Sequence, residues 1–295
     1  MTVAELLPLV LRLSIIILVF TIGLGTAPRE LTYLARHPGQ LIRSLVAMNL
    51  VMPLIAVAIA KLFTLDRPVM IMLIALALSP VPPILPKKII KAGGGHAYVM
   101  ALLCSAAVVA IVWIPFAVSI LSRISVADFS VSPAVVAKVL LMTVIGPVVA
   151  GVIVRLMLPK LAERLAVPLG MAATLLLLGG VVLILVKFGP ALTALIGDGT
   201  LVAIIAYILI ALAVGHMLGG PASSDRTVLA LATASRHPAV AMAIARATFP
   251  AEKTVPVAVL LYLLVGLVAT VPYVSWRKKS LAEDAPPPIG HPAPH

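Results

Sequence analysis

Between Leu6 and Gly25 the chain carries one charged side chain, Arg12, in a run about as long as the hydrocarbon of a bilayer is thick. Runs of this kind recur from one end of the 295 residues to the other. A water-soluble domain has no interior large enough to hide them, so the chain reads as an all-α polytopic membrane protein. Strands of a membrane barrel would alternate apolar and polar residues, whereas these runs are apolar throughout. The composition agrees: 62% hydrophobic, 11% charged, mean hydropathy +1.20.

Nine spans are expected, at 6–25, 41–63, 69–92, 97–121, 135–158, 168–186, 201–218, 226–248 and 255–275. Connections are expected at 27–40, 122–133, 159–167 and 188–200, and Asp225 as the N-cap of the eighth span. The net charge of +12 is not read as a nucleic-acid footprint, because the basic residues lie mostly in short connections. With the N-terminus outside, thirteen basic residues fall on the inner connections and six on the outer ones. That bias puts the C-terminus in the cytoplasm. No cleavable signal is apparent, and a bacterial inner membrane is the simplest address. The lone Cys104 excludes an intramolecular disulfide and a multi-cysteine metal site. The tail from 276 to 295 becomes Pro-rich and is expected to be disordered.

Two spans cannot stay helical. Pro80, Pro82, Pro83 and Pro86 fall inside the third, and each removes a backbone donor at a cost of roughly 3 kcal/mol in a helix interior. The eighth is interrupted at Ser235-Arg236-His237-Pro238. Lipid tolerates such backbone only where protein buries it or it lines a cavity. Paired interruptions of this kind point to a transporter's binding site. The offset from the third span to the eighth is odd, so spans one to four (6–121) and six to nine (within 135–275) would be inverted repeats within one transmembrane domain, residues 1–275.

Candidate substrate contacts are Arg236, His237, Ser235, Thr233, Asn49, Ser79, Lys87 and Lys88. Arg236 has no intramembrane carboxylate in the sequence to pair with. Its partners are therefore backbone carbonyls, as a permanent internal cation, or an anionic ligand. The half-helix starting at Pro238 would offer a positive N-terminus at the break. Lys87 and Lys88 either attract an anion, stand in place of a bound sodium ion, or snorkel to the inner surface. Asn49 either meets a substrate or bonds a neighbouring helix. His237 is either a proton carrier or a neutral hydrogen-bonding group, the latter favoured by the charge beside it.

In Gly23-Leu24-Gly25, Pro28, His37-Pro38, Met52-Pro53, the Pro-rich third span and the run 239–245, the chain resembles the bile acid:sodium symporter family of secondary transporters. The resemblance implies a panel domain and a core domain, with the two broken helices crossing in the core. It also implies an organic anion as substrate, such as a bile acid, pantoate, pyruvate or a sulfated steroid. Sodium-coupled members carry oxygen-bearing side chains at the first break, and at the second a Glu with a Gln four residues later. Those two positions fall on Ala232 and Arg236 here, and the first break reads Pro82-Pro83-Ile84-Leu85-Pro86-Lys87-Lys88. Sodium therefore follows from the family and not from these residues. The expectation is a carrier of a small organic anion, not an enzyme, with membrane lipid as its surroundings and a homodimer as a possible assembly. A non-transporting membrane anion sensor is the alternative. An intramembrane enzyme built on Ser235 and His237 is a weaker idea.

Overall fold

The computed structural model describes residues 3–123, 132–197 and 199–283. Every regular element among them is helical. They are α1 (Val3–Gly25), α2 (Pro28–Leu31), α3 (Tyr33–Arg36), α4 (Pro38–Leu62), α5 (Arg67–Leu78), α6 (Leu85–Lys91) and α7 (His96–Arg123). After them come α8 (Pro133–Met157), α9 (Pro159–Ala194), α10 (Thr200–Leu218), α11 (Ser223–Ala234), α12 (Pro238–Thr248), α13 (Val255–Ala269) and α14 (Val271–Glu283). Among the described residues, seven helices are long and apolar enough to cross a membrane, and Arg12–Gly25 and Arg67–Leu78 are shorter apolar ones. The chain is an integral membrane protein. Its outer surface is apolar in stripes: Met171, Leu175, Leu178 and Val182 repeat at helical spacing along α9, and each is more than half exposed.

Several expected boundaries move. The connection at 159–167 and most of 188–200 are helical, because α9 runs unbroken from Pro159 to Ala194. Pro159 stands at its first position, where a missing N–H costs nothing. The connection 27–40 folds into α2, α3 and the first turn of α4. Ala222, not Asp225, occupies the N-cap of α11, and Asp225 lies in the first turn, where a carboxylate suits the helix dipole. The helical residues 276–283 of α14 replace the first part of the expected disordered tail, and 284–295 lie outside the described residues, as do 124–131 of the expected polar connection.

Two groups of helices form. In the first, α1 packs along α9 and along the second half of α8. The approach of α1 to α8 is close because two glycines face each other. A Cβ on Gly23 would lie 2.3 Å from the Val148 carbonyl oxygen, and one on Gly151 would lie 2.3 Å from that of Phe20. Gly151→Ala should therefore push α1 and α8 apart and lower stability by about 1–3 kcal/mol. Gly25→Ala, where the added methyl meets nothing within 4 Å, should leave the thermal unfolding midpoint in detergent unchanged or raised.

In the second group, α5 packs against α4, α12 and α13, α11 against α10 and α6, and α6 against α7. Thus the first half of each broken span lies against the second half of the other. α8 joins the two groups: its first half packs on α7 and α12, its second on α1 and α9. The apolar stretch of the span holding α11 and α12 is 72% buried inside the protein, against 17% for that of Pro159–Leu183 in α9. Interrupted backbone is thus enclosed by protein, as the absence of water in lipid requires.

Candidate functional site

Helix α5 ends at Leu78 and helix resumes at Leu85; α11 ends at Ala234 and helix resumes at Pro238. Pro80, Val81, Pro82 and Pro83 of the first interruption are all buried. Pro86 breaks nothing: it sits in the first turn of α6, where it has no carbonyl to serve. Pro238 likewise opens α12. The interruptions meet, the backbone N–H of His237 donating to the Pro80 carbonyl at 2.9 Å.

Arg236 sits at this meeting point with 1% of its surface exposed. One guanidinium nitrogen donates to the Ser79 carbonyl at 3.2 Å and another to the Met48 carbonyl at 3.0 Å. Each acceptor is free for a reason written in the backbone. Ser79 caps the C-terminus of α5, where helical carbonyls have no intrahelical donor. Met48 lies in a wide turn, Val46–Val51, in which the Met52 N–H reaches back five residues to Ala47. The next amide that could serve Met48 belongs to Pro53 and carries no hydrogen. A proline one turn downstream thus prepares the carbonyl that takes the arginine. The orphan carbonyl of Ala234, at the end of α11, receives the Tyr262 hydroxyl at 2.8 Å.

A second wide turn, Leu141–Ile145 in α8, is also followed by a proline, Pro147. It places Thr143 Oγ1 3.5 Å from His237 Nε2. The imidazole is buried and its Nδ1 has no partner among the described residues.

The other candidates separate into engaged and free. The Ser79 hydroxyl donates to Leu76 at 2.8 Å and Thr233 to Leu229 at 2.6 Å, each back into its own helix and each buried. The hydrogen of each hydroxyl is thus committed to backbone. Lys88 reaches across to the Thr270 hydroxyl at the α13–α14 junction. Asn49, in the wide turn of α4, and Ser235, in the second interruption, are half-buried.

Lys87 is exposed and lines a cavity of about 170 Å³ with Thr21, Pro86, Ile90, His96 and Ala166. The cavity lies between the two helix groups. A Cβ added to Gly170 of α9 would stand 3.3 Å from the Lys87 ammonium and 3.5 Å from Thr21 Oγ1. The sequence reading missed Met48, Thr143, Thr21 and Gly170. The prolines at 53 and 147 were the available signal for the first two; nothing local marks the others.

A family model described as the sodium bile acid symporter family matches residues 12–195, from within α1 to the C-cap of α9. The chain belongs to the sodium bile acid symporter family. A comparison with curated proteins found no match. Membership places the chain among secondary transporters of the bile acid symporter type, and the matched region includes the first interrupted span and Lys87. The second interruption, with Arg236, lies beyond the matched region. The contacts of Arg236 with Ser79 and Met48 tie it to family-matched backbone.

A sodium ion at the crossing would need several oxygen ligands and a counter-charge. The Met48 and Ser79 carbonyls already receive a guanidinium, and Ala232 is fully buried where sodium-coupled relatives are expected to carry a carboxylate. A second cation beside a desolvated one is repelled strongly at low local dielectric. The residues present do not fit a sodium ion at this position.

Proposed function

We propose that the protein is a secondary active transporter of a small organic anion that works by alternating access without sodium. The observation that carries this reading is the buried guanidinium at the meeting of the two interruptions. It supplies, as a resident charge, the cation that a sodium symporter would recruit. Arg236 then organises the crossing, and the substrate is met by groups still free to bind it: Lys87 at the cavity between the helix groups, with the half-buried Asn49 and Ser235 nearer the crossing.

In this reading the α1–α8–α9 group is a panel and the remainder a core, moving as units, with the wide turn and Gly146-Pro147 of α8 at the changeover between them. Nine spans in two inverted repeats, with the C-terminus in the cytoplasm of a bacterial cell, complete it. The opposed packing of α5 on α12 and of α6 on α11 supports the repeat.

The test is uptake by proteoliposomes of labelled pyruvate, pantoate, taurocholate and a sulfated steroid. Uptake of at least one anion should persist when sodium is replaced by choline. A steep dependence on sodium would refute the sodium-free part. Thermal stabilisation by an anion without any flux would favour a membrane anion sensor instead.

A further inference from the structure

A second and larger cavity, about 390 Å³, opens beside α12 and the turn that leads into α13. That volume is within the range of small-molecule sites. Its apolar wall includes Met242, Phe249 and Val255, and its charged side chains are Arg246, Glu252 and Lys253. Glu252 is engaged by Arg67, at the start of α5, at 3.2 Å, and the same guanidinium lies 5.6 Å over the Phe249 ring. The Glu252 carboxylate is therefore neutralised from outside the wall, which leaves Arg246 and Lys253, among the described residues, as the cavity's unbalanced charges.

The position of this cavity is the second observation. The Arg67–Glu252 bond fixes the turn after α12 to the start of α5, whereas the Lys87 cavity lies along α6, on the far side of the crossing. Each cavity is thus lined by the second half of one interrupted span: Pro86, Lys87 and Ile90 of α6 in one, Met242, Ala245 and Arg246 of α12 in the other. Each presents a basic side chain beside apolar ones.

We infer that the α12 cavity is a second binding site for the organic anion, a vestibule at the opposite membrane face from Lys87, in which Arg246 and Lys253 receive the carboxylate or sulfonate and Met242 and Phe249 its apolar part. The inference rests on the transport reading for its purpose, and on the cavity and its charges for its existence. The anion is a free solute, since a half-open wall of mixed apolar and basic groups matches a small amphipathic anion.

Thiol labelling tests the site without any need for flux. In a full-length Cys104→Ser background, Met242→Cys places a thiol in the cavity wall. The protein is reconstituted in phosphatidylcholine. Its labelling rates are compared for methanethiosulfonate reagents bearing an ethylsulfonate or an ethyltrimethylammonium group. The anionic reagent should react faster, and adding Arg246→Gln and Lys253→Gln should lower the anionic-to-cationic rate ratio roughly tenfold. Millimolar isethionate should slow labelling in the parent and not in the charge-neutralised variant.

An unchanged ratio would overturn the inference. So would a falling ratio without isethionate protection, which would indicate a charged surface and no site. Protection by added phosphatidylglycerol alone would assign the cavity to a lipid headgroup and also overturn it. If protection is found while uptake of every anion fails, the vestibule stands and the transport reading falls.

Discussion

Arg236→Met should destabilise the protein by roughly 2–4 kcal/mol, because it leaves the Met48 and Ser79 carbonyls buried without donors. The loss is partly offset by no longer desolvating a guanidinium. Arg236→Lys should recover only part of the loss, since an ammonium is a point charge and cannot fork between two carbonyls on different helices. Thermal unfolding of the purified protein measures both. The more telling variant is the pair Ala232→Glu with Arg236→Gln, which returns a carboxylate and an amide four residues apart to the second interruption. The wild-type unfolding midpoint should be the same in sodium chloride and choline chloride. That of the double variant should rise in sodium, by an amount equivalent to about 2.7 kcal/mol where sodium stands at a hundred times its Kd. A wild-type response to sodium, or none in the double variant, would show that Arg236 does not stand in a cation's place.

The second large effect is expected at Lys87. Its ammonium stands at the cavity between the helix groups, beside Thr21 and Gly170, with no hydrogen bond or ion pair among the described residues. Lys87→Gln should raise the KM for the transported anion about tenfold or more, the usual worth of a hydrogen bond to a charged group, with a smaller change in maximal rate. Lys88→Gln is the contrast. Its ammonium is spent on Thr270, so its removal should cost about 1 kcal/mol of stability and leave KM unchanged. Equal effects on KM from both lysines would point to a general field at this end of the protein and not to a contact at Lys87.

Much of the architecture was legible in the residues because lipid leaves so few solutions. A run such as 97–121 has one use, and α7 is a helix from His96 to Arg123. The prolines at 80, 82 and 83 lie in non-helical backbone for a reason equally local, the lost N–H and the ring's clash. The site was less legible. Ser79, Thr233, Lys87 and Lys88 are all polar groups near an interruption, and their sequence gives them equal standing. Only the folded neighbours separate them: Ser79 and Thr233 bond back into their own helices, Lys88 meets the hydroxyl of Thr270, 182 residues away, and Lys87 meets open space. α9 misled in the other direction, since glycines and prolines near its ends read as connections while its apolar packing on α1 kept it helical.

By itself the sequence determined that this chain lies in a membrane and that two of its spans are interrupted. Both follow from properties each residue carries alone: transfer free energy and the presence or absence of an amide hydrogen. It also suggested that Arg236 would have no nearby acid to pair with, since the acidic residues fall in connections, at span ends or in the tail. What it could not determine is where that charge would find its partners. Met48 stands 188 positions away, and its carbonyl is available only because a wide turn and Pro53 deny it a helical donor. Hydrogen bonds between distant backbones are decided by how helices cross, and crossing is set by the packing of all of them together.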